Sequence, residues 1–194
     1  MQKIIKNIFL ISLFFIIANC DQTTQSKNNS NGFVTVKVFS SLTCPHCAEF
    51  HGRIYKKLEN EYINTRRVQF EHHAFPLNLA ALNAEKILQC TTDSKTNVSF
   101  LTEIYKKQSK WALGSDIKVI NESIKKIGRD FGLTESQMNE CLADKTLEEK
   151  ILNQRIEAQK NYKVRSTPTI YLNEKKYEGK RNYKSFRKII NKLL

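Results

Sequence analysis

Two cysteines separated by two residues, Cys44 and Cys47, carry the clearest chemical signal in the chain, with Pro45 and His46 between them. Such a pair can cycle between a dithiol and a disulfide, provided one sulfur is held as a thiolate near neutral pH. The flanking sequence supplies a reason for that. Residues 33–39 are β-branched and apolar with Val34, Val36 and Val38 on one face, the pattern of a strand. From Pro45 onward Phe50, Ile54, Leu58 and Tyr62 recur every four residues opposite Arg53, Lys57 and Glu61, the pattern of an amphipathic helix. Pro45 falls at the first helical position, where its missing N–H costs nothing. Cys44 therefore stands at a helix amino terminus, whose free N–H groups and partial positive charge favour a thiolate over a thiol. His46 can add positive charge or a hydrogen bond when protonated. Cys47 lies one turn deeper and is expected to be less exposed. The expected roles follow: Cys44 exchanges with a substrate sulfur, and Cys47 resolves the mixed disulfide. Cysteines in such settings titrate at about 3.5 to 7.5 rather than about 8.5. A stabilised thiolate makes the disulfide form the stronger oxidant.

Other chemistries compete for the same pair. Half of a zinc site needs two further ligands, and neither Cys90 nor Cys141 belongs to a second pair, although His51, His72 or His73 could supply them. No metal is assigned on this basis. A soft copper carrier built from Cys44, Cys47 and a nearby histidine is the reading from a different functional class. A purely structural bridge is a poor reading, because closing two intervening residues removes little chain entropy. His51, one turn beyond Cys47, reads as a half-buried structural histidine. His72, His73 and Trp111 read as packing or surface residues.

The elements that must position the pair continue along the chain. A second strand is expected over 68–75, after which helical signatures run for some 90 residues. Ile117, Ile120, Ile124, Ile127 and Phe131 form one stripe, with Gly132 placed to end that helix. Thr134-Glu135-Ser136-Gln137 and Thr146-Leu147-Glu148-Glu149 both read as capping boxes that open helices. Strand character returns at Thr169-Ile170-Tyr171-Leu172, with residues 173–176 as a turn toward a short partner around Tyr177. Tyr183, Phe186, Ile190 and Leu193 then mark a closing helix. The order strand, helix, strand, helices, hairpin, helix defines an α/β sandwich with a helical insertion. Its parts are 33–75, an insertion over 76–164, and 165–194.

Residues 1–19 read as an export signal: Lys3 and Lys6 precede an apolar run from Ile8 to Ala18, too short for a spanning helix of about 20 residues. Ile17-Ala18-Asn19-Cys20 is similar to a bacterial lipobox, which makes Cys20 a candidate lipid acceptor and membrane tether. Asn19 departs from that pattern, and ordinary cleavage near Ala18 is the alternative. Residues 20–32 are polar, lack apolar side chains beyond Cys20, and read as a flexible tether. The net charge of +13 is spread beside Glu and Asn along helical stretches, without a zinc-finger or RNP-type pattern. It reads as solvated helix faces, not as a nucleic-acid surface. Of the five cysteines, four remain if Cys20 is lipidated or removed, an even number that suits an oxidising compartment.

Ser166-Thr167-Pro168-Thr169 precedes the hairpin strand, and from local sequence alone a trans turn is the default there. Val38-Phe39-Ser40 leading into Cys44-Pro45-His46-Cys47, the long helical insertion, and Thr167-Pro168 before the last hairpin together resemble the DsbA family of thioredoxin-like proteins. That resemblance implies a thioredoxin-like fold with an inserted helical subdomain, Cys44 as nucleophile, Cys47 as resolving thiol, and a cis Thr167-Pro168 bond whose edge receives substrate backbone. It implies a periplasmic oxidase that passes its disulfide to reduced exported polypeptides and is reoxidised by a membrane quinone-linked protein, with no cofactor beyond the Cys44/Cys47 disulfide. Val38 stands where the family's best-known oxidase has a buried Glu. Thr167 replaces that oxidase's Val and is similar to disulfide isomerases, so an isomerase or reductase is the alternative. Cys90 and Cys141 could be buried small side chains. Export and the second bridge of some DsbA relatives imply instead that they pair.

Overall fold

The computed structural model describes residues 32–91 and 93–194; the expected signal, Cys20 and nearly all of the tether lie outside the described residues. A four-stranded sheet in the order β2-β1-β3-β4 forms the centre. Strand β1 (Val34–Ser40) pairs in parallel with β2 (Val68–Ala74), from Val34 opposite Val68 to Ser40 opposite Ala74. On its other edge β1 pairs antiparallel with β3 (Thr169–Leu172), placing Phe39 opposite Thr169. The parallel pair needs a crossover, which begins at α1 (Pro45–Phe50).

This helix runs on through a π-helical segment, His51–Tyr55, the short α2 (Lys56–Leu58) and a second π-helical segment, Glu59–Ile63. The widened turns have a reason in the sequence. A stripe repeating every four residues drifts by about 40° per repeat on an ideal α-helix, and a π turn, which takes more residues, corrects the drift. Phe50, Ile54, Leu58 and Tyr62 are accordingly all buried. They pack with Val34, Val36 and Val38 and with Phe186 and Ile190 of α9 (Tyr183–Leu193) on one face of the sheet. Full burial of each such side chain contributes about 1.5–3 kcal/mol. Phe39 points to the other face, against Tyr171, Val164 and Ala158.

Between β2 and β3 lie α3 (Leu79–Leu88), α4 (Ser94–Lys106), α5 (Gln108–Trp111), α6 (Ile117–Asp130), α7 (Glu135–Ala143) and α8 (Lys145–Asn161). Helix α6 ends at Gly132, which has φ +81°; its N–H donates to Arg129 O and that of Leu133 to Gly128 O, the two bonds of a Schellman cap. Thr134 and Gln137 form the capping box of α7. The second expected box does not form: α8 is capped by Asp144, whose carboxylate accepts from Leu147 N–H, and Thr146 falls inside the first turn. An Asp two residues earlier starts the helix sooner and satisfies the Leu147 amide in its first turn. The hairpin also turns sooner than its sequence indicates. Asn173 takes φ +53° and β4 is Lys175–Lys176, residues expected in the turn, because Asn tolerates the left-handed region. Among the described residues no helix is long and apolar enough to cross a membrane.

Candidate active site

Strand β1 ends at Ser40, and residues 41–44 carry the chain to the amino terminus of α1. Cys44 is its N-cap, in an extended conformation with φ −82° and ψ 119°. Cys44 N–H donates to Ser41 O, and Cys44 O accepts from Cys47 and Ala48 N–H, which closes the first turn. Both cysteines are free thiols; Cys44 is 8% exposed and Cys47 1%. The Cys47 thiol donates to the Cys44 sulfur. That bond, with the Thr167 contact and the backbone N–H groups of Cys47 and His46, outweighs burial and lowers Cys44 from 9.0 to about 5. Cys47 is driven the opposite way, first by its hydrogen bond to Cys44 and then by burial. One sulfur is thus a thiolate at neutral pH while its neighbour keeps its proton.

Pro45 and His46 are exposed on the rim, His46 Nδ1 lying 3.9 Å from Glu49 Oε2. The Thr167-Pro168 peptide is cis, and Cys44 Sγ lies 3.5 Å from the Thr167 carbonyl. Among the described residues the buried Thr167 hydroxyl has no oxygen or nitrogen partner, and it faces both sulfurs. The fold therefore brings Cys44, Pro45, His46, Cys47, Thr167 and Pro168 into one site, across 123 residues of chain between Cys44 and Thr167. Cys90 and Cys141 lie elsewhere. They are joined as a disulfide with Cα atoms 6.2 Å apart, tying the turn after α3 to α7. Cys90 sits just past α3, and both are partly exposed rather than core side chains.

Several site residues escape a reading of the sequence. Gln108 of α5 is buried and its amide donates to Leu42 O at 2.7 Å and Cys44 O at 3.0 Å. Arg181 donates to Pro168 O at 3.3 Å. Neither stands in a motif; only the fold brings them to the loop. Trp111 is buried, donating to Ile104 O, as a packing residue of the insertion. His51 is 3% exposed, not half-buried. It stacks on Tyr55 and donates through Nε2 to Thr102 Oγ1, and burial followed by the nearby His72 lowers it to about 3. It is a neutral packing residue. Among the described residues no three His, Cys, Asp or Glu side chains converge as metal ligands.

A mixed sheet whose inner strand delivers a dithiol to a helix start, opposite a proline turn, is the architecture of thioredoxin-fold proteins. The chain belongs to the thioredoxin family, whose model matches residues 23–192. Its structure is similar to that of Wolbachia pipientis alpha-DsbA1, with a TM-score of 0.75, 25% identity, and coverage of 84% of this chain and 86% of that one. The resemblance to DsbA proteins thus extends to the whole fold, including the helical insertion. A candidate protein-disulfide oxidoreductase of Rickettsia bellii is 26% identical over 163 residues, 84% of this chain and 62% of the relative. Disulfide bond formation protein D of Bacillus subtilis is 28% identical over 170 residues, 83% of this chain and 72% of the relative. The chain spans about three fifths of the length of the rickettsial relative.

Proposed function

We propose that the chain is an exported thiol-disulfide oxidoreductase that introduces disulfides into reduced polypeptides through Cys44 and Cys47. The observation that carries this reading is the opposite perturbation of two adjacent sulfurs: Cys44 is lowered to about 5, while Cys47 is raised and buried behind it. A substrate thiolate attacks Cys44 of the oxidised pair and Cys47 leaves. A second substrate thiolate then displaces Cys44, whose low pKa makes it a good leaving group. The cis Thr167-Pro168 edge stands where substrate backbone meets the reacting sulfur. Beside it a cavity of about 460 Å3 is lined by His46, Phe50, Arg53, Lys57, Arg181 and Tyr183 among others. Export is supported by the reading of residues 1–19, and a membrane tether by Cys20. Reoxidation falls to a membrane quinone-linked protein, as in the DsbA resemblance.

The test is the potential of the Cys44/Cys47 pair in a glutathione series. A value well above thioredoxin's, about −270 mV, supports net oxidation. A value near it overturns that direction and favours the reductase reading, which Thr167 beside the sulfurs motivates. Cys47→Ser is expected to accumulate mixed disulfides through Cys44, and a trap that captures nothing removes the assignment of roles.

A further inference from the structure

The cavity of about 460 Å3 beside the dithiol begins at the reacting groups themselves. His46, the residue before Cys47, lines it. Arg181 lines it too, and its guanidinium donates to Pro168 O at 3.3 Å, while Cys44 Sγ lies 3.5 Å from the Thr167 carbonyl before that proline. From His46 the lining follows the crossover helix to Lys57. Over that stretch a helix advances about 16 Å, the length of about five residues of extended chain. The buried Phe50 and Ile54 give the groove an apolar floor. Gly52 leaves its wall open, since a Cβ built there would meet nothing within 4 Å and its φ is not in the left-handed region. Neither internal packing nor a turn accounts for this glycine, which weakens the helix that carries it. The groove has the length and the open wall to take a segment of another chain.

Its charges are unequal. Glu49, Arg53 and Lys57 line it at four-residue spacing, one row of the helix surface. Arg53 Nη1 donates to Glu49 Oε1 at 2.9 Å, with the two side chains 79% and 53% exposed. Exposed pairs of this kind are weak, so an incoming carboxylate replaces Glu49 on Arg53 at small cost. Lys57 Nζ lies 5.4 Å from the centre of the Tyr183 ring and has no ion-pair partner among the described residues. Glu61, one turn further along, is held by Arg187 at 3.3 Å. Arg181 keeps N–H donors beyond the one that Pro168 O accepts. Three cations thus face the groove against one carboxylate. In a cleft with apolar walls such an excess focuses the field and raises the local concentration of the opposite charge.

We propose that Arg53, Lys57 and Arg181 make this groove selective for reduced polypeptides whose cysteines are flanked by acidic residues, an inference that deepens the dithiol function above and rests on it. Side chains of an extended segment point alternately to opposite sides. Arg53 and Lys57 meet its carboxylates on the helix wall, and Arg181 meets them on the wall at the start of α9, beside the cis proline. Apolar side chains of the same segment cover Phe50 and Ile54. Glu49 is the internal competitor, holding Arg53 until a substrate carboxylate displaces it. The exchange itself is unaltered: the substrate thiolate attacks Cys44 Sγ, the bond between Cys44 and Cys47 breaks, and Cys47 leaves. A narrow groove that starts at the reacting sulfur suits an extended chain, whereas a membrane surface is too broad to enter it.

Disulfide transfer from the oxidised full chain to reduced two-cysteine peptides tests this, the cysteines being flanked by Glu or by Gln in one common frame. The quantity read is the ratio of the Glu-peptide to the Gln-peptide rate constant, compared between parent and variant. Each peptide's own thiol reactivity, and any general change at Cys44, cancel in that comparison. In the double variant Arg53→Gln, Lys57→Gln the ratio is expected to fall by on the order of fivefold at low ionic strength. The difference from the parent should fade in 1 M salt, where screening acts within about 3 Å. Glu49→Gln should raise the ratio, because Arg53 is then free. All three positions are exposed and Gln is a good helix former, so the fold is retained. A double-variant ratio within twofold of the parent, or a Glu49→Gln ratio that drops, overturns the selectivity. Binding of anionic-lipid vesicles by the parent but not the double variant would then assign the cations to a membrane surface. A fall that persists in 1 M salt also overturns it, since charge is then not the cause. A parent that transfers its disulfide to neither peptide, or transfer that survives Cys44→Ser, would instead remove the dithiol reading itself.

Discussion

The side-chain amide of Gln108 donates to the main-chain carbonyl of Cys44 at 3.0 Å, and the same nitrogen donates to Leu42 O at 2.7 Å. One buried side chain from α5 thus fastens both sides of the loop that presents the dithiol. The loop's shape depends on the inserted helices as well as on the sheet.

Replacing that amide tests the dependence. Gln108→Leu removes both bonds and leaves the Leu42 carbonyl without its donor, at a cost of about 1–3 kcal/mol for a buried group left unsatisfied. Denaturant unfolding of the reduced protein should show a loss of that size. The Cys44 titration should also move upward, because the amides that face its sulfur are held by the same loop. An unchanged titration would mean that the loop is fixed without Gln108.

The Cys44 thiolate gives a pH signature. Its absorbance in Cys47→Ala should titrate well below the ordinary 9.0, although above about 5, because that variant lacks the donor whose hydrogen bond is the largest contribution. In the parent the folded value lies below the unfolded one, so the stabilisation of the reduced form is fully present above pH 9.0 and is lost as pH falls through about 5. The gap in unfolding free energy between reduced and oxidised protein should therefore narrow across that window. A gap that widens as pH falls would contradict the assignment of the thiolate to Cys44.

The Cys90–Cys141 bridge closes a separation of 51 residues. In the chain-entropy model a loop of that size stabilises by about 4 kcal/mol. The double variant Cys90→Ala, Cys141→Ala should unfold at lower denaturant while its Cys44/Cys47 potential stays at the parent value, because the bridge lies away from the site. Equal unfolding midpoints would show that the insertion is held by packing alone.

Gly128 of α6 marks a close approach between helices. A Cβ built on it would stand 2.5 Å from the sulfur of the fully buried Met138, so Gly128→Ala must displace that side chain. The expected cost is about 1–3 kcal/mol, as for other overpacked cores. Thermal unfolding measures it, and a variant as stable as the parent would show that Met138 has room to move.

The sequence by itself determined the local chemistry and the elements around it. Strand alternation at Val34, Val36 and Val38, Pro45 at a helix start, the four-residue stripe from Phe50 to Tyr62 and Gly132 after α6 are short-range signals, written by steric and capping rules within a few residues. They suffice to put Cys44 at a helix amino terminus with Cys47 one turn behind it. They mislead where neighbours compete for one role, as Asp144 does with Thr146 for the cap of α8, and where Asn173 lets the hairpin turn early. Tertiary structure alone decided what surrounds the sulfurs. Gln108 and Tyr105 reach the dithiol from the inserted helices, and nothing in their local sequence distinguishes them from solvated residues; Thr167 is marked by Pro168, but only the strand pairing sets it beside the sulfurs. Burial converts them, because a hydroxyl, an amide or a carboxylate removed from water must find a partner, and which partner it finds depends on how the helices close over the sheet.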